Sequence, residues 1–331
     1  MNQTIYVSKN SSGVDAFTSV SDAIASVEAS SDIPVTIEIA PGIYHEKIEI
    51  HRDNLTIVGT GTAPEEVVLT YDDFAFDDMP DGSKRGTFRS YSVFLDASNV
   101  TMKNLTIENA SGDENTHGQA IALYAEGDHL YFENLRLIGR QDTLFTGPLP
   151  PKELQPNGFI GPKQFAPRIN GRQHYKDCYI CGNIDFIFGS ATAYFEHCRI
   201  ESLSHKSEQD AIQGYVSAPS TPEGQEYGYV FYNCKFLSTE CAASTCYLAR
   251  PWRDFAKAVF IRCEVGPHIH TEGFHDWNKP NAREHAFFAA YGNYRPSDSS
   301  SEPEIFFPKA PFAKELSTDE SAKYKKDEVL S

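Results

Sequence analysis

Alternation of apolar and polar residues dominates this chain. Runs such as Val35-Thr36-Ile37-Glu38-Ile39 and Tyr44-His45-Glu46-Lys47-Ile48-Glu49-Ile50 change character at nearly every position. A period of two predicts strands with one buried face. Turn residues such as Pro41-Gly42 separate them. One early segment differs. Val20 to Val27 carries apolar residues at helical spacing, which predicts a short helix able to cover the first open end of a sheet stack. Near the other terminus, Thr318 to Leu330 is charged with sparse apolar positions, and a helical tail along the outside is expected.

Within the alternation a motif returns. Asn54-Leu55-Thr56-Ile57 recurs as Asn104-Leu105-Thr106-Ile107, Asn134-Leu135-Arg136-Leu137, Asp177-Cys178-Tyr179-Ile180, His197-Cys198-Arg199-Ile200, Asn233-Cys234-Lys235-Phe236 and Arg262-Cys263-Glu264-Val265. An aromatic residue stands two positions before five of these copies, at Phe132, Tyr175, Phe195, Phe231 and Phe260. The intervals are unequal. A constant strand-turn-strand unit with variable spacing predicts an all-β parallel β-helix, in which each coil supplies strands and any extra chain loops outward. The first position of the motif fits a tight turn in the left-handed region, where Asn and Asp cost least. The next position points inward. Cys178, Cys198, Cys234 and Cys263 are therefore expected to form one interior stack.

Aligning Leu135 with Cys178 brings Gly139 level with Gly182 and Asp142 level with Asp185. On successive coils these two aspartates would lie about 4.8 Å apart along the backbone. Two carboxylates that close rarely ionise together, so one is expected to hold a proton. Gln141 stands beside the first. Arg250, in Tyr247-Leu248-Ala249-Arg250-Pro251-Trp252, falls on a later coil. A guanidinium beside one carboxylate would keep it ionised while its neighbour stays protonated, which yields one nucleophile or base and one acid. Each residue alone has a structural explanation as a turn or loop tie; the combination in register points to chemistry.

Between the two aspartate coils, residues 148–171 contain six prolines. This long loop cannot continue the sheet and should overhang the carboxylate pair. The rest of the 331 residues reads as one domain, with 297–331 as polar linker and tail. A formal charge of -17 argues against nucleic acid, and an acidic ligand would need a locally basic or neutral groove. No apolar run approaches membrane-span length, so no membrane partner is expected. The N-terminus lacks a charged and an apolar signal region, and the cysteine count of seven is odd. Both suit a cytoplasmic protein with reduced thiols, unless a leader has been trimmed from a secreted one. Cys178-x-x-Cys181 lacks a second pair at ligand spacing and is not taken as a metal or redox site.

The chain resembles the pectin methylesterase (pectinesterase) family of carbohydrate esterases, of bacterial type. The resemblance rests on Gly42-Ile43-Tyr44-His45-Glu46, Thr87-Phe88-Arg89-Ser90, Gln119-Ala120-Ile121-Ala122-Leu123, Gln141-Asp142-Thr143-Leu144, Asp185-Phe186-Ile187-Phe188-Gly189 and Leu248-Ala249-Arg250-Pro251-Trp252, in that order. It implies a single-stranded right-handed parallel β-helix that removes methyl esters from galacturonate units without metal or other cofactor. By resemblance Asp185 is the nucleophile, Asp142 the general acid and then base, Gln119 and Gln141 the oxyanion donors, and Arg250 the partner of Asp185. Thr87, Phe145, Phe188 and Trp252 would contact substrate, which would be pectin or a methylated oligogalacturonide. A monomer is expected. There are departures. Ala249 stands where the family has Gly, Phe274 where a groove Trp is expected, and the 148–171 loop is longer than in plant-type members. The long loop suggests short methylated oligogalacturonides as substrates.

Other readings fit parts of the pattern. A retaining glycoside hydrolase also places carboxyls about 5 Å apart, but Gln141 and Arg250 suit an oxyanion better than an anomeric centre. A calcium-dependent lyase would need more converging acids. A thioesterase, or a catalytically inactive sugar-binding β-helix, completes the alternatives.

Overall fold

The computed structural model describes residues 3–10, 16–27, 33–205, 211–296 and 302–331; most of the segment read as a polar linker, 297–301, lies outside them. Each central coil contributes one strand to each of three sheets, and the coils at the two ends contribute fewer. Leu130–Glu133, Arg136–Ile138 and Leu144–Thr146 form one coil, and Arg172–Lys176, Tyr179–Gly182 and Ile184–Gly189 form the next. Stacked strands pair in parallel, and the sheets contain 12, 10 and 7 strands among the described residues. Only Tyr294–Arg295 and Glu304–Ile305 pair antiparallel among the named strands. The result is a right-handed parallel β-helix.

The corners explain the recurring motif. Asn104, Asn134, Asp177, His197, Asn233 and Arg262 stand at one corner of successive coils, all with φ between 51 and 54°. Asn54 is a correction: Thr56 pairs with Thr101, so Asn54 turns a different corner, level with Asn99, both at φ of 57°. Asn and Asp tolerate that conformation, and the coil imposes it on His197 and Arg262 as well. Asn side chains add ties between coils: Asn134 Nδ2 donates to Asn104 Oδ1 at 2.9 Å, and Asn104 Nδ2 to the Gly59 carbonyl at 2.9 Å.

Inside, like stacks on like. The rings of Phe132, Tyr175, Phe195, Phe231 and Phe260 form a continuous ladder, with each successive centroid separation 4.7 Å and interplanar angles of 11 to 19°. That separation is the strand spacing itself, so the ring pitch is set by the backbone ladder. Beside it run four of the six buried cysteines, Cys178, Cys198, Cys234 and Cys263. Their Sγ atoms face carbonyls of the preceding coil; Cys198 donates to Tyr175 and Cys234 to Phe195, both at 3.3 Å. Cys181 does not join them. It faces the Gly139 carbonyl, away from the Cys178 stack.

The first end is covered by the helix Val20–Ala25, which buries Val20, Ala23 and Ile24. The Glu46 carboxylate caps it, accepting from Ser19 Oγ and from the Val20 and Ser21 amides. The tail is not one helix. It breaks into Thr318–Ser321, Ala322–Tyr324 and Lys326–Val329, and only Val329 among these is buried, against Tyr194 and Val230. So few apolar anchors fix single turns to the surface without supporting a longer helix. No helix among the described residues is long and apolar enough to cross a membrane.

Candidate active site

The register places Asp142 and Asp185 on adjacent coils. Leu144 pairs with Ile187, two residues beyond each aspartate, and the Asp142 amide donates to the Ile184 carbonyl at 3.1 Å. Both aspartates are left-handed, with φ of 66° and 49°. They use the same conformation that turns the coil elsewhere, here to lift a carboxylate from the sheet. Asp185 gains a second distortion. The ladder to Gly214–Pro219 slips by one residue between Ile184 and Ile187, so Asp185 lies within a bulge. Bulges re-aim side chains at functional sites.

The supports are local. Thr143 Oγ1 donates to the Cys181 carbonyl at 2.8 Å, which joins the two aspartate turns. Gly182 lets them approach, since a Cβ there would fall 2.5 Å from the Arg140 carbonyl. Behind both turns lies a buried carboxylate, Glu114. It accepts from Arg140 Nε at 2.6 Å and Asn183 Nδ2 at 2.7 Å, and it contacts His205 Nδ1 at 3.0 Å. Arg140 and Asn183 each stand two residues before an aspartate. Burial alone would raise the Glu114 carboxyl, but hydrogen bonds from His205 and Arg140 outweigh it and hold it below the usual range.

Arg250 separates the roles of the two acids. Its Nε and Nη2 donate to the two Asp185 oxygens, both at 2.7 Å. The rings of Tyr215 and Trp277 each lie 3.7 Å from its guanidinium carbon. Burial opposes the Arg250 charge, but Asp185 more than offsets that. Among the described residues, Asp142 has no such partner. Burial, and after it the charge of Asp185, push its carboxyl well above the usual range, and Arg250 relieves only part of this. One carboxylate is thus held as an ion pair while its neighbour favours the proton.

These groups open into a cavity of about 380 Å³. Gln119, Gln141, Asp142, Asp185 and Arg250 all line it, as do Thr87, Phe188 and Trp252. The Ala120 amide donates to the Gln141 carbonyl, so the two glutamines sit on adjacent coils. Phe145 is a correction. It is fully buried, packed edge-on to Tyr124 and Phe88 beneath the cavity, because all of Leu144–Thr146 is covered on both faces. Phe274 also lies in the core, bridged to Ala249, and the groove tryptophan on that side is Trp277. Sequence reasoning missed Phe88, Phe159, Arg253 and Trp277 as lining residues. Phe88 was within a quoted motif; the others lie in loops without periodicity. The 148–171 loop forms one wall through Leu154, Gln155, Gly158 and Phe159. Among the described residues, no cluster of three or more His, Cys, Asp or Glu side chains could hold a metal ion.

The sequence profile of the pectinesterase family matches residues 4–148 and 168–324. This chain belongs to the pectinesterase family. The stretch 149–167 falls between the two matched segments, so the wall is built from residues the family profile does not cover. Pectinesterase 31 of Arabidopsis thaliana is 31% identical over 325 residues, covering 97% of this chain and 90% of that protein. Pectin methylesterase PemA from Erwinia chrysanthemi superposes with a TM-score of 0.76 at 28% identity, covering 99% of this chain and 96% of that one. A pectin methylesterase solved in complex with a hexasaccharide gives the same values. The pectin methylesterase from Yersinia enterocolitica, at 24% identity and a TM-score of 0.74, shares the fold.

Proposed function

We propose that this pectinesterase hydrolyses methyl esters of galacturonate units in pectin or methylated oligogalacturonides, releasing methanol. The observation that carries the reading is the stacked aspartate pair, one member ion-paired to Arg250 and the other pushed toward its protonated form. Asp185 attacks the ester carbonyl. The tetrahedral oxyanion is met by the side-chain amides of Gln119 and Gln141, which line the same cavity. Asp142 gives its proton to the departing methanol, leaving an acyl group on Asp185. Asp142, now a carboxylate, takes a proton from the attacking water. The second tetrahedral species collapses, frees the galacturonate acid and restores Asp185 beside Arg250. Trp252 and Phe188 supply apolar surface for the sugar face and the ester methyl.

The loop wall further supports short methylated oligogalacturonides over long polymer. The test is methanol release from highly methylated pectin and from methylated oligogalacturonides, with chelator present. Release that persists in chelator and disappears in Asp185→Asn supports the reading. New reducing ends without methanol would overturn it, and equal efficiency on both substrates would overturn the preference for short chains.

A further inference from the structure

The rings of Tyr215 and Trp277 flank the Arg250 guanidinium, and His275 reaches both residues. Its Nδ1 accepts from the Trp277 amide at 2.9 Å. Its ring lies edge-on to Tyr215 and Tyr247, with centroids 5.8 and 5.1 Å away. Its own amide donates to the carbonyl of Ala249 at 3.0 Å, one residue before Arg250. His275 is thus tied by its backbone to the strand that carries Arg250, and by its imidazole to both residues beside the guanidinium.

Trp277 depends on that tie. It and Asn278 are left-handed, with φ of 56° and 54°. A bulky side chain rarely adopts this conformation, and a strained residue persists only where its surroundings fix it. A side chain that accepts from the amide two residues on closes a turn of this kind. His275 does so for Trp277, and Asp276 Oδ1 does so for Asn278 at 2.8 Å. Lys279 Nζ also lies over the indole at 4.2 Å, so the ring sits between two cations, while the amide bond fixes the backbone that carries it. The two acceptors differ in kind. Asp276 is a carboxylate paired with Arg283. His275 can accept only while Nδ1 carries no proton.

The surroundings favour that unprotonated ring. Burial is the largest influence and lowers His275 below the usual histidine range. The charges of Asp276 and Glu272 pull it back up, and those of Arg250 and His270 push it further down. Tyr215 and Tyr247 face it with phenols, and the Tyr247 hydroxyl is turned to Glu272.

We propose that His275 is a positioning residue: unprotonated, it holds the Trp277 turn and with it the indole over Arg250, and its protonation releases the turn and loosens the grip of Arg250 on Asp185. This rests on the esterase reading above and adds to it an acid cut-off that belongs to neither aspartate.

The turn and the reaction can be followed separately. Trp252 and Trp277 are the two tryptophans of the chain, so Trp252→Phe leaves the Trp277 indole as the sole tryptophan reporter. Its fluorescence should titrate as pH falls below about 6.5. Adding His275→Asn, whose side-chain oxygen keeps an acceptor but takes no proton, should remove that titration. With Trp252 in place, wild-type kcat for methanol release should fall over the same pH range. His275→Asn should keep most of the neutral-pH kcat and carry activity to lower pH. His275→Leu, which offers no acceptor, should lose about tenfold or more in kcat at neutral pH. Melting temperatures check that each variant folds. An acid limb identical in wild type and His275→Asn, an indole signal that titrates alike with and without His275→Asn, or wild-type kcat in His275→Leu would overturn the proposal. No methanol from the wild type, with the fluorescence titration present, would instead overturn the esterase reading beneath it.

Discussion

Arg250 holds Asp185 by two parallel hydrogen bonds, Nε to one oxygen and Nη2 to the other, both at 2.7 Å. Only a planar fork makes that contact; an ammonium offers a point charge. Arg250→Lys should therefore keep the charge but lose the orientation of the nucleophile. We expect kcat to fall by roughly 10² or more with a smaller change in KM, since a misplaced nucleophile costs rate more than binding. Asp185→Asn should remove turnover by at least ~10⁴, the scale of losing a covalent nucleophile. Steady-state methanol release measures both, and near-normal activity in Arg250→Lys would deny the pair its orienting role.

The raised Asp142 carboxyl makes a prediction about stability as well as rate. A carboxyl whose folded pKa lies above its unfolded value binds protons more tightly in the folded state. Stability from this group is therefore full below the ordinary aspartate range and declines as pH rises through that range toward the folded value. Asp142→Asn removes the penalty of a buried charge. It should abolish turnover yet raise the melting temperature, with the gain larger at pH 8 than at pH 4. A variant less stable than wild type at pH 8 would contradict this.

Gln119 and Gln141 line the cavity on adjacent coils without shared chemistry of their own. As oxyanion donors each should be worth about 10² to 10³ in kcat. Gln141→Ala and Gln119→Ala should lower kcat on that scale and leave KM little changed. An effect confined to KM would assign them to substrate binding.

Glu114 ties Arg140 and Asn183, and through them the turns that carry both aspartates. Glu114→Ala would strand the Asn183 amide, which is fully buried, at a cost of about 1–3 kcal/mol. Glu114→Gln preserves the shape and should restore much of the stability. If Glu114 positions the pair, Glu114→Ala also moves the pH–rate profile, and Glu114→Gln returns it. A profile that stays put while the melting temperature falls would make Glu114 a structural tie alone.

The aromatic ladder sets the scale for core damage. Phe195 is fully buried between Tyr175 and Phe231, with 4.7 Å to each ring. Phe195→Ala should cost about 3–5 kcal/mol, measured by denaturant unfolding. Phe195→Leu should cost less, because the void is smaller.

Much of this could be read from residues because two constraints leave direct marks. A left-handed corner favours Asn or Asp, and it recurs on successive coils from Asn104 to Arg262, so the Asn column exposed the period. Once the period was known, the level of Asp142 with Asp185 followed from counting. Phe145 was placed against substrate by resemblance alone, whereas the aromatic layer around Phe88 and Phe188 covers the outer face of that strand. Trp277 could not be found by repeat. It follows Asp276 in an irregular loop, at φ of 56°, and only the fold brings it over Arg250.

The aspartates draw their mutual register from the coil ladder, whereas Leu154 and Phe159 draw their position from a stretch that leaves the ladder after Thr146 and rejoins it at Arg172. The wall and the hydrolytic pair thus have separate supports, and a change of length within the excursion leaves the pairing that keeps the two aspartates in step untouched.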